Sequence, residues 1–444
     1  MKRAILLLIL IIILSIFLSS CSFGSIDTDN LMRPPKPMGE NLEIQKALEA
    51  KLGTNITLKY PKTGAYRTAY VRCNIDDDID EEVIVFYKMN AEVSGIRFNV
   101  LKKIDGTWES SADCQGEGTD VDKIIIADLS GDGINEIIVG WNSVSSKDKS
   151  ISVYNFHGES SYDSRISKRF SEFYTVMEIV DFLGDNTQQI FTAMLNNALS
   201  TSTASLIAVT NDGYKVIGKT SLDGNVTSFT SISKGIVSDT TEGIYLDGYK
   251  GTNELITELV YFNGTDLIAP FYDEIEKATS ITYRESSTTS RDIDGDGIIE
   301  IPLPVVMPGY ENRRQSEQVK MTNWYTYNGK SIDIKMSTVN NLSDGYYFIL
   351  PPAWVSTVTV DVSKQNRTMV FYEWIQKTDA RNSANNIELL KIKVFPENEL
   401  SNTENAGYVK LSTKNGLTYA YLLTNDKSTF GITKEIVKNN FIVL

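Results

Sequence analysis

Histidine is nearly absent from this chain of 444 residues: His157 is the single one. A zinc site built on several histidines is excluded by that count. Any Ser–His–Asp or Cys–His mechanism would have to run through His157, and no G-x-S-x-G stretch offers it a nucleophile. Cysteine is scarce as well, with Cys21, Cys73 and Cys114 the full set. Basic residues are outnumbered, 43 against 57 acidic, for a formal charge of −14. A surface of that sign repels phosphate backbones and anionic head groups, so nucleic acid is not an expected partner. After residue 21 no apolar run is long enough to span a bilayer.

What is present begins with an address. In "MKRAILLLILIIILSIFLSSC", Lys2 and Arg3 precede an apolar run from Ala4 to Leu18, then Ser19, Ser20 and Cys21. This is the layout of a secretory signal peptide, and the run is short for a full span of about 20 residues. "LSSC" resembles the lipobox of bacterial lipoproteins. The resemblance implies that residues 1–20 are removed and that Cys21 becomes the lipidated N-terminus. It also implies that the rest lies on the extracytoplasmic face of a bacterial membrane, held there by its lipid. Residues 21–40 then form the lipidated cysteine and a flexible tether with three prolines and no apolar periodicity. Losing Lys2 and Arg3 takes the formal charge from −14 to −16. An oxidising exterior permits a Cys73–Cys114 disulfide, but pairing needs a geometry that spacing does not show.

Internal repeats organise the rest. Strand starts recur at Glu82 ("EVIVFY"), Glu136 ("EIIVGW"), Gln189 ("QIFTAM"), Gly243 ("GIYLDG") and Glu300 ("EIPLPV"), at steps of 54, 53, 54 and 57 residues. About two dozen residues after each start comes a dipeptide ending in glycine: Asp105-Gly106, His157-Gly158, Asp212-Gly213, Asn263-Gly264 and Asn328-Gly329. Each reads as a two-residue hairpin turn, which makes His157 a turn residue rather than a catalyst. Runs rich in β-branched and aromatic residues precede each turn. Four strands per repeat define a β-propeller blade. In the second repeat they fall at 136–141, 150–156, 159–170 and 174–181. The expected fold is mainly β: a five-bladed β-propeller (six blades being the alternative) over residues 55–340. The segment 66–74 is expected to serve as the outer strand of the last blade and close the ring. Residues 41–54 precede it as a short helix, with Leu42, Ile44, Leu48 and Leu52 at helical spacing.

Acidic loops precede the strand starts. The fifth, "DIDGDGIIE", places Asp292, Asp294, Asp296, Ile298 and Glu300 at positions one, three, five, seven and nine. The second, "DLSGDGINE", gives Asp128, Ser130, Asp132, Ile134 and Glu136. The first gives Asn74, Asp76, Asp78, Asp80 and Glu82; the third keeps Asp181 and Asp185 and ends in Gln189; the fourth has lost the pattern. Calcium takes six to eight oxygens, which alternate side chains and the carbonyl at position seven can begin to supply. An EF-hand is rejected, because position twelve is Leu303 and the flanks are strands. An Asp-rich turn can also exist only to hydrogen-bond its own backbone. These loops resemble those of FG-GAP and VCBS-type propeller repeats, in which they bind calcium. The resemblance implies structural calcium in the fifth and second loops.

From residue 341 to 444 the texture changes. "LPPAW" and five strand-like runs, closing with "TKEIVKNNFIVL", predict a small α+β domain ending in a helix. Its start resembles PsbP/Mog1-like domains. Together these features predict a lipid-anchored binding or scaffold lipoprotein, attached to the membrane, whose partner is an envelope protein, peptide or glycan. Two alternatives stand beside it. One is a propeller glycoside hydrolase with paired carboxylates in one pocket on the axis. The other is a calcium-gated adhesin.

Overall fold

A computed structural model describes residues 38–444 except 77, 91–94, 144–148, 158–164, 239–240, 375–386, 400–406 and 425–431. The signal segment, Cys21 and most of the expected tether lie outside the described residues. Among the described residues no helix is long and apolar enough to cross a membrane. The chain is mainly β, built from successive antiparallel sheets.

Five sheets follow one another along the chain. The second holds Asp120–Ala127, Glu136–Asn142, Lys149–His157 and Arg165–Tyr174 in that order. The third holds Val176–Val180, Gln189–Asn196, Thr201–Thr210 and Gly213–Leu222. The fourth runs from Ser228–Ser238 to Leu267–Ile268. In the first, Ile56–Lys59 and Tyr70–Cys73 share the edge of Glu82–Met89, followed by Arg97–Ile104 and Thr107–Gln115. In the fifth, Ile301–Val306, Lys320–Tyr327, Ile332–Asn341 and Tyr346–Ile349 pair in order, and Phe441–Val443 returns to the last of them.

The apolar strand starts are explained by burial on both faces. Ile84 and Phe86 pack with Ile137, Val139 and Trp141 of the second sheet, while Val83 and Val85 face the opposite way. Similar clusters join the second sheet to the third, the third to the fourth and the fourth to the fifth. Each fully buried Ile or Phe contributes about 1.5–3 kcal/mol, so these four seams carry the stack. The first strands of sheets two to four and the segment 64–66 ahead of Tyr70–Cys73 meet at one cavity of about 350 Å³, lined by Tyr66, Lys123, Glu178, Ile179 and Lys234 among others. The stack therefore curves about an axis, as propeller blades do.

Three expectations are corrected. In the first three sheets the strand before the acidic loop belongs to the same sheet as the strand after it, so those loops are hairpins within a sheet: Ala127 pairs with Glu136 and Val180 with Gln189, and in the fifth an isolated bridge joins Arg291 to Glu300 across the loop. For the same reason residues 70–73 do not close the ring on the last blade. Cys73 pairs with Glu82 in the first sheet, since a nine-residue hairpin costs far less closure entropy than reaching the far end of the chain. The outer faces of the end sheets are covered differently. Helix α1 (Glu40–Leu52) lays Ile44 and Leu48 on Val83, Val85 and Trp108. Among the described residues no hydrophobic cluster joins sheets one and five. The third correction concerns the turns. Of the expected dipeptides, among the described residues only Asp105-Gly106 forms the tip of a two-residue hairpin, between Ile104 and Thr107. Asn263 and Asn328 open four-residue turns. Thr210 pairs with Gly213, which puts Asn211 and Asp212 at that tip. His157 ends a strand opposite Arg165, and residues 158–164 lie outside the description.

The C-terminal region forms a five-stranded sheet from Val358–Ser363, Thr368–Glu373, Glu388–Pro396, Leu417–Leu423 and Val409–Lys414. Helix α2 (Lys434–Asn440) follows, capped by the Thr433 hydroxyl, which accepts from the Ile436 N–H. Trp354 and Phe371 share one core with Met321, Val339 and Phe348 of the fifth sheet. Cys73 and Cys114 are free thiols.

Candidate functional site: the acidic loops

Backbone bonds shape the loops first. In the fifth loop Asp292 Oδ1 accepts from the N–H of Gly295 at 2.6 Å and of Asp296 at 3.2 Å, and Oδ2 accepts from Gly297 at 2.8 Å. Gly295 and Gly297 sit at φ 83° and 85°, a region that favours glycine. Asp296 Oδ1 accepts from the Ile298 N–H at 3.0 Å. The second loop repeats this, with Asp128 taking Gly131 and Gly133 at 2.7 and 2.9 Å and Asp132 taking Ile134 at 2.9 Å. Ser130 lies 3.5 Å from Asp128 Oδ1.

Position nine has the most constant role. One side-chain oxygen of Glu82, Glu136, Gln189 and Glu300 accepts the N–H of position two: Ile75 at 3.0 Å, Leu129 at 2.7 Å, Phe182 at 2.7 Å and Ile293 at 2.9 Å. Glutamine does this as well as glutamate, so the closure needs an acceptor and not a charge. The fourth sheet has no such loop; Ser238 pairs directly with Thr241 across residues outside the description.

The other oxygens of the first and fifth loops converge on lysines. Lys335 Nζ lies 2.9 Å from Asp294, 2.6 Å from Asp296 and 2.8 Å from Glu300 Oε1. Lys102 Nζ contacts Asp76, lies 3.0 Å from Asp78 and 3.8 Å from Glu82 Oε1. Among the described residues, oxygens of Asp292, Asp294 and Glu300, and of Asp76, Asp78 and Glu82, lie within 4.8 Å of one another. The three carboxylates of the second loop do not gather in this way. Glu136 Oε1 instead accepts from Asn155 Nδ2 at 3.3 Å.

Electrostatics follow burial and these contacts. Burial pushes the Glu82 carboxyl up to about 7 and raises Glu136 and Glu300. The Lys335 hydrogen bond holds Asp296 below the usual carboxylate range. Burial works against the charge on Lys335, but its bonds to Asp296, Glu300 and Asp294 outweigh that and raise it.

Donor chemistry in the fifth loop suits a hard cation, yet Asp294, Asp296 and Glu300 Oε1 are bonded to Lys335, and both Asp292 oxygens accept backbone N–H groups. The arrangement does not fit calcium while that ammonium is in place. Neither lysine stood out in the sequence. The signal was there: Lys102 sits one residue beyond the Val83–Leu101 pair, in a strand that otherwise reads as core. Lys335 is the extra residue of a β-bulge between Ile334 and Met336, and a bulge re-aims a side chain.

The sequence also gave no hint of a buried polar network on the fourth sheet. Asp247 pairs with Arg284 at 2.7 Å, both essentially buried. Glu258, which burial pushes up to about 7, accepts from the Asp223 N–H and the Thr279 hydroxyl, each at 2.8 Å. These bonds fasten residues 279–290 to the sheet where the repeat is interrupted.

Two further cavities lie at the end opposite the acidic loops, beside the turns between second and third strands. One, of about 430 Å³, is lined by Thr175, Met194, Asn196, Asn197 and Thr227 among others. The other, of about 400 Å³, is lined by Thr252, Asn253, Glu254, Glu285, Gln315 and Lys320.

No family model and no curated protein matches the chain. Among solved structures it is similar to rhamnogalacturonan lyase YesW, at 11% identity over 72% of this chain and 74% of that one, TM-score 0.29. It is similar also to the Bacillus licheniformis rhamnogalacturonan lyase PL11, at 12% identity over 72% and 64%, TM-score 0.28. The propeller of Dos1 matches at 9% identity over 83% and 81%, TM-score 0.28. Likenesses this distant say nothing about activity.

Proposed function

We propose that the chain is a lipid-anchored binding or scaffold lipoprotein on the extracytoplasmic face of a bacterial membrane. Cys21 carries the lipid, residues 22–40 are the tether, and the stack of sheets is a propeller-type platform for an envelope protein, peptide or glycan. The observation that carries this reading is the pair of cavities at the end away from the acidic loops, where the turns are free of the repeated pattern. The axial cavity holds one carboxylate, Glu178, which lies 3.7 Å from Lys123; paired acids for hydrolysis are not found there.

A second reading rests on one observation. Glu254 and Glu285 are cross-strand partners in the cavity of about 400 Å³. Like charges directly opposite are destabilising, and two carboxyls beside a polar cavity are the equipment of a glycoside hydrolase. This site lies off the axis.

Glycan and peptide arrays probed with the mature chain, and with Asn197→Trp and Asn253→Trp variants that fill the two cavities, test both readings. A ligand held by the wild type and lost by one variant is the expected result. Binding untouched by both variants contradicts the assignment of the face. Release of reducing ends, abolished by Glu285→Gln, replaces binding with hydrolysis. Cys21→Ser should move the protein from the membrane to the soluble fraction; continued membrane retention contradicts the anchor.

A further inference from the structure

We propose that Lys102 and Lys335 are the resident cations of the first and fifth loops, occupying the place where the repeat resemblance leads one to expect a metal. The inference is independent of which ligand the opposite end binds.

Four observations carry it. First, the ammonium of Lys335 contacts three carboxylates at 2.6–2.9 Å, one of them on the fully buried side chain of Glu300. Asp292 spends both oxygens on backbone N–H groups, and Glu300 spends Oε2 on Ile293. The carboxylate oxygens not already taken by backbone N–H groups are those bonded to Lys335. Calcium needs six to eight oxygens and would have to expel the lysine to reach them.

Second, carboxylates gather only where a lysine is present. Loops one and five converge within 4.8 Å; loop two, with Asn155 facing Glu136, does not. Like charges repel unless a cation lies between them, so the lysines account for the convergence.

Third, the two lysines arrive by different routes. Lys102 comes from the third strand of its sheet and stands beside Glu82. In the fifth sheet the matching place, next to the Ile301–Tyr325 pair, is Thr326 on Lys320–Tyr327, and a bulge in the next strand out, Ile332–Asn341, delivers Lys335 instead. The requirement met twice is a positive charge at one point in space, not a residue at one position of the repeat.

Fourth, the loop without charge at position nine has no cation. Gln189 bonds the Phe182 N–H and, through Nε2, the Thr187 carbonyl at 2.7 Å. The residue facing it, beside the Ile190–Ile207 pair, is Ala208.

The test uses the mature chain in chelator and in millimolar calcium, with two readouts. In thermal melts the wild-type midpoint should be the same in both. Lys335→Ala should melt several degrees lower in chelator and recover in calcium, since an ion that binds only the folded state raises the midpoint. Acylation of amines, read by mass spectrometry on the wild type, does not depend on a variant that folds. Lys102 and Lys335 should react more slowly than the exposed Lys330, at rates that calcium does not change. A calcium-dependent rise of the wild-type midpoint that is lost in Asp294→Asn/Asp296→Asn overturns the proposal. So does faster acylation of Lys335 in calcium, because the ion has then displaced it. An alanine variant untouched by calcium shows that the oxygens are not a cation seat, and overturns it equally.

Discussion

The first and third loops close the same way and carry opposite electrostatics. In both, position nine accepts the N–H of position two. In the first the acceptor is Glu82, 1% exposed, with Lys102 facing it. In the third it is Gln189, fully buried, with Ala208 alongside. The fold asks for an acceptor; where it is Glu82 or Glu300 a lysine faces it, and where it is Glu136 the Asn155 amide does. An acidic loop at this point of the repeat is therefore not by itself a metal signal.

Removing the balancing charge should have the largest effect. Lys102→Met should destabilise by about 3 kcal/mol, because it leaves the largely buried Asp76 carboxylate without its ammonium partner. Chemical denaturation measures it, and a loss near zero would mean that the ion pair contributes nothing. Gln189→Glu creates the same fault from the other side. The new carboxylate would face the Thr187 carbonyl that now accepts from Gln189 Nε2. A cost of about 2 kcal/mol is expected, the range for a buried polar group left without its partner. Adding Ala208→Lys should return more than half of it; no coupling between the two changes would sink the idea of a balancing pair.

Glu82→Gln should have the smallest effect and the clearest pH signature. Burial raises the folded-state carboxyl from its ordinary 4.5 to about 7. Between those values the folded chain holds a proton that the unfolded chain releases. The associated stability is complete below 4.5, falls as pH rises, and is gone above 7. Glutamine keeps the Ile75 bond and removes this slope, with a gain of about 1 kcal/mol above pH 7. An unchanged pH profile of stability would show that Glu82 does not titrate there.

Much of this was legible in the sequence because it is local. The strand starts at Glu82, Glu136 and Gln189 fall where expected, since strands buried on both faces leave apolar runs that no other element explains. The five C-terminal strands were legible from their runs of β-branched and aromatic residues, and Trp354 packs in the core as a buried aromatic should. Sheet membership was not. A repeat can be cut at any phase, and only hydrogen bonding shows that Ala127 and Glu136 flank a hairpin. The turns misled because glycine at positive φ serves four-residue turns as well as two-residue ones; Gly264 and Gly329 have it in the former. Lys335 was out of reach because a bulge breaks the two-residue alternation on which facing is judged. Arg284, sealed against Asp247, was equally hidden, since nothing in "TYRESS" marks an arginine for burial.

The central claim, that a lysine fills the cation seat of the fifth loop, is tested most directly by a crystal structure of the mature chain grown in millimolar calcium. The Lys335 ammonium should contact Asp294, Asp296 and Glu300 at 2.9, 2.6 and 2.8 Å. A sphere of density ringed by oxygens at about 2.3–2.6 Å, with Lys335 turned out to solvent, would contradict it.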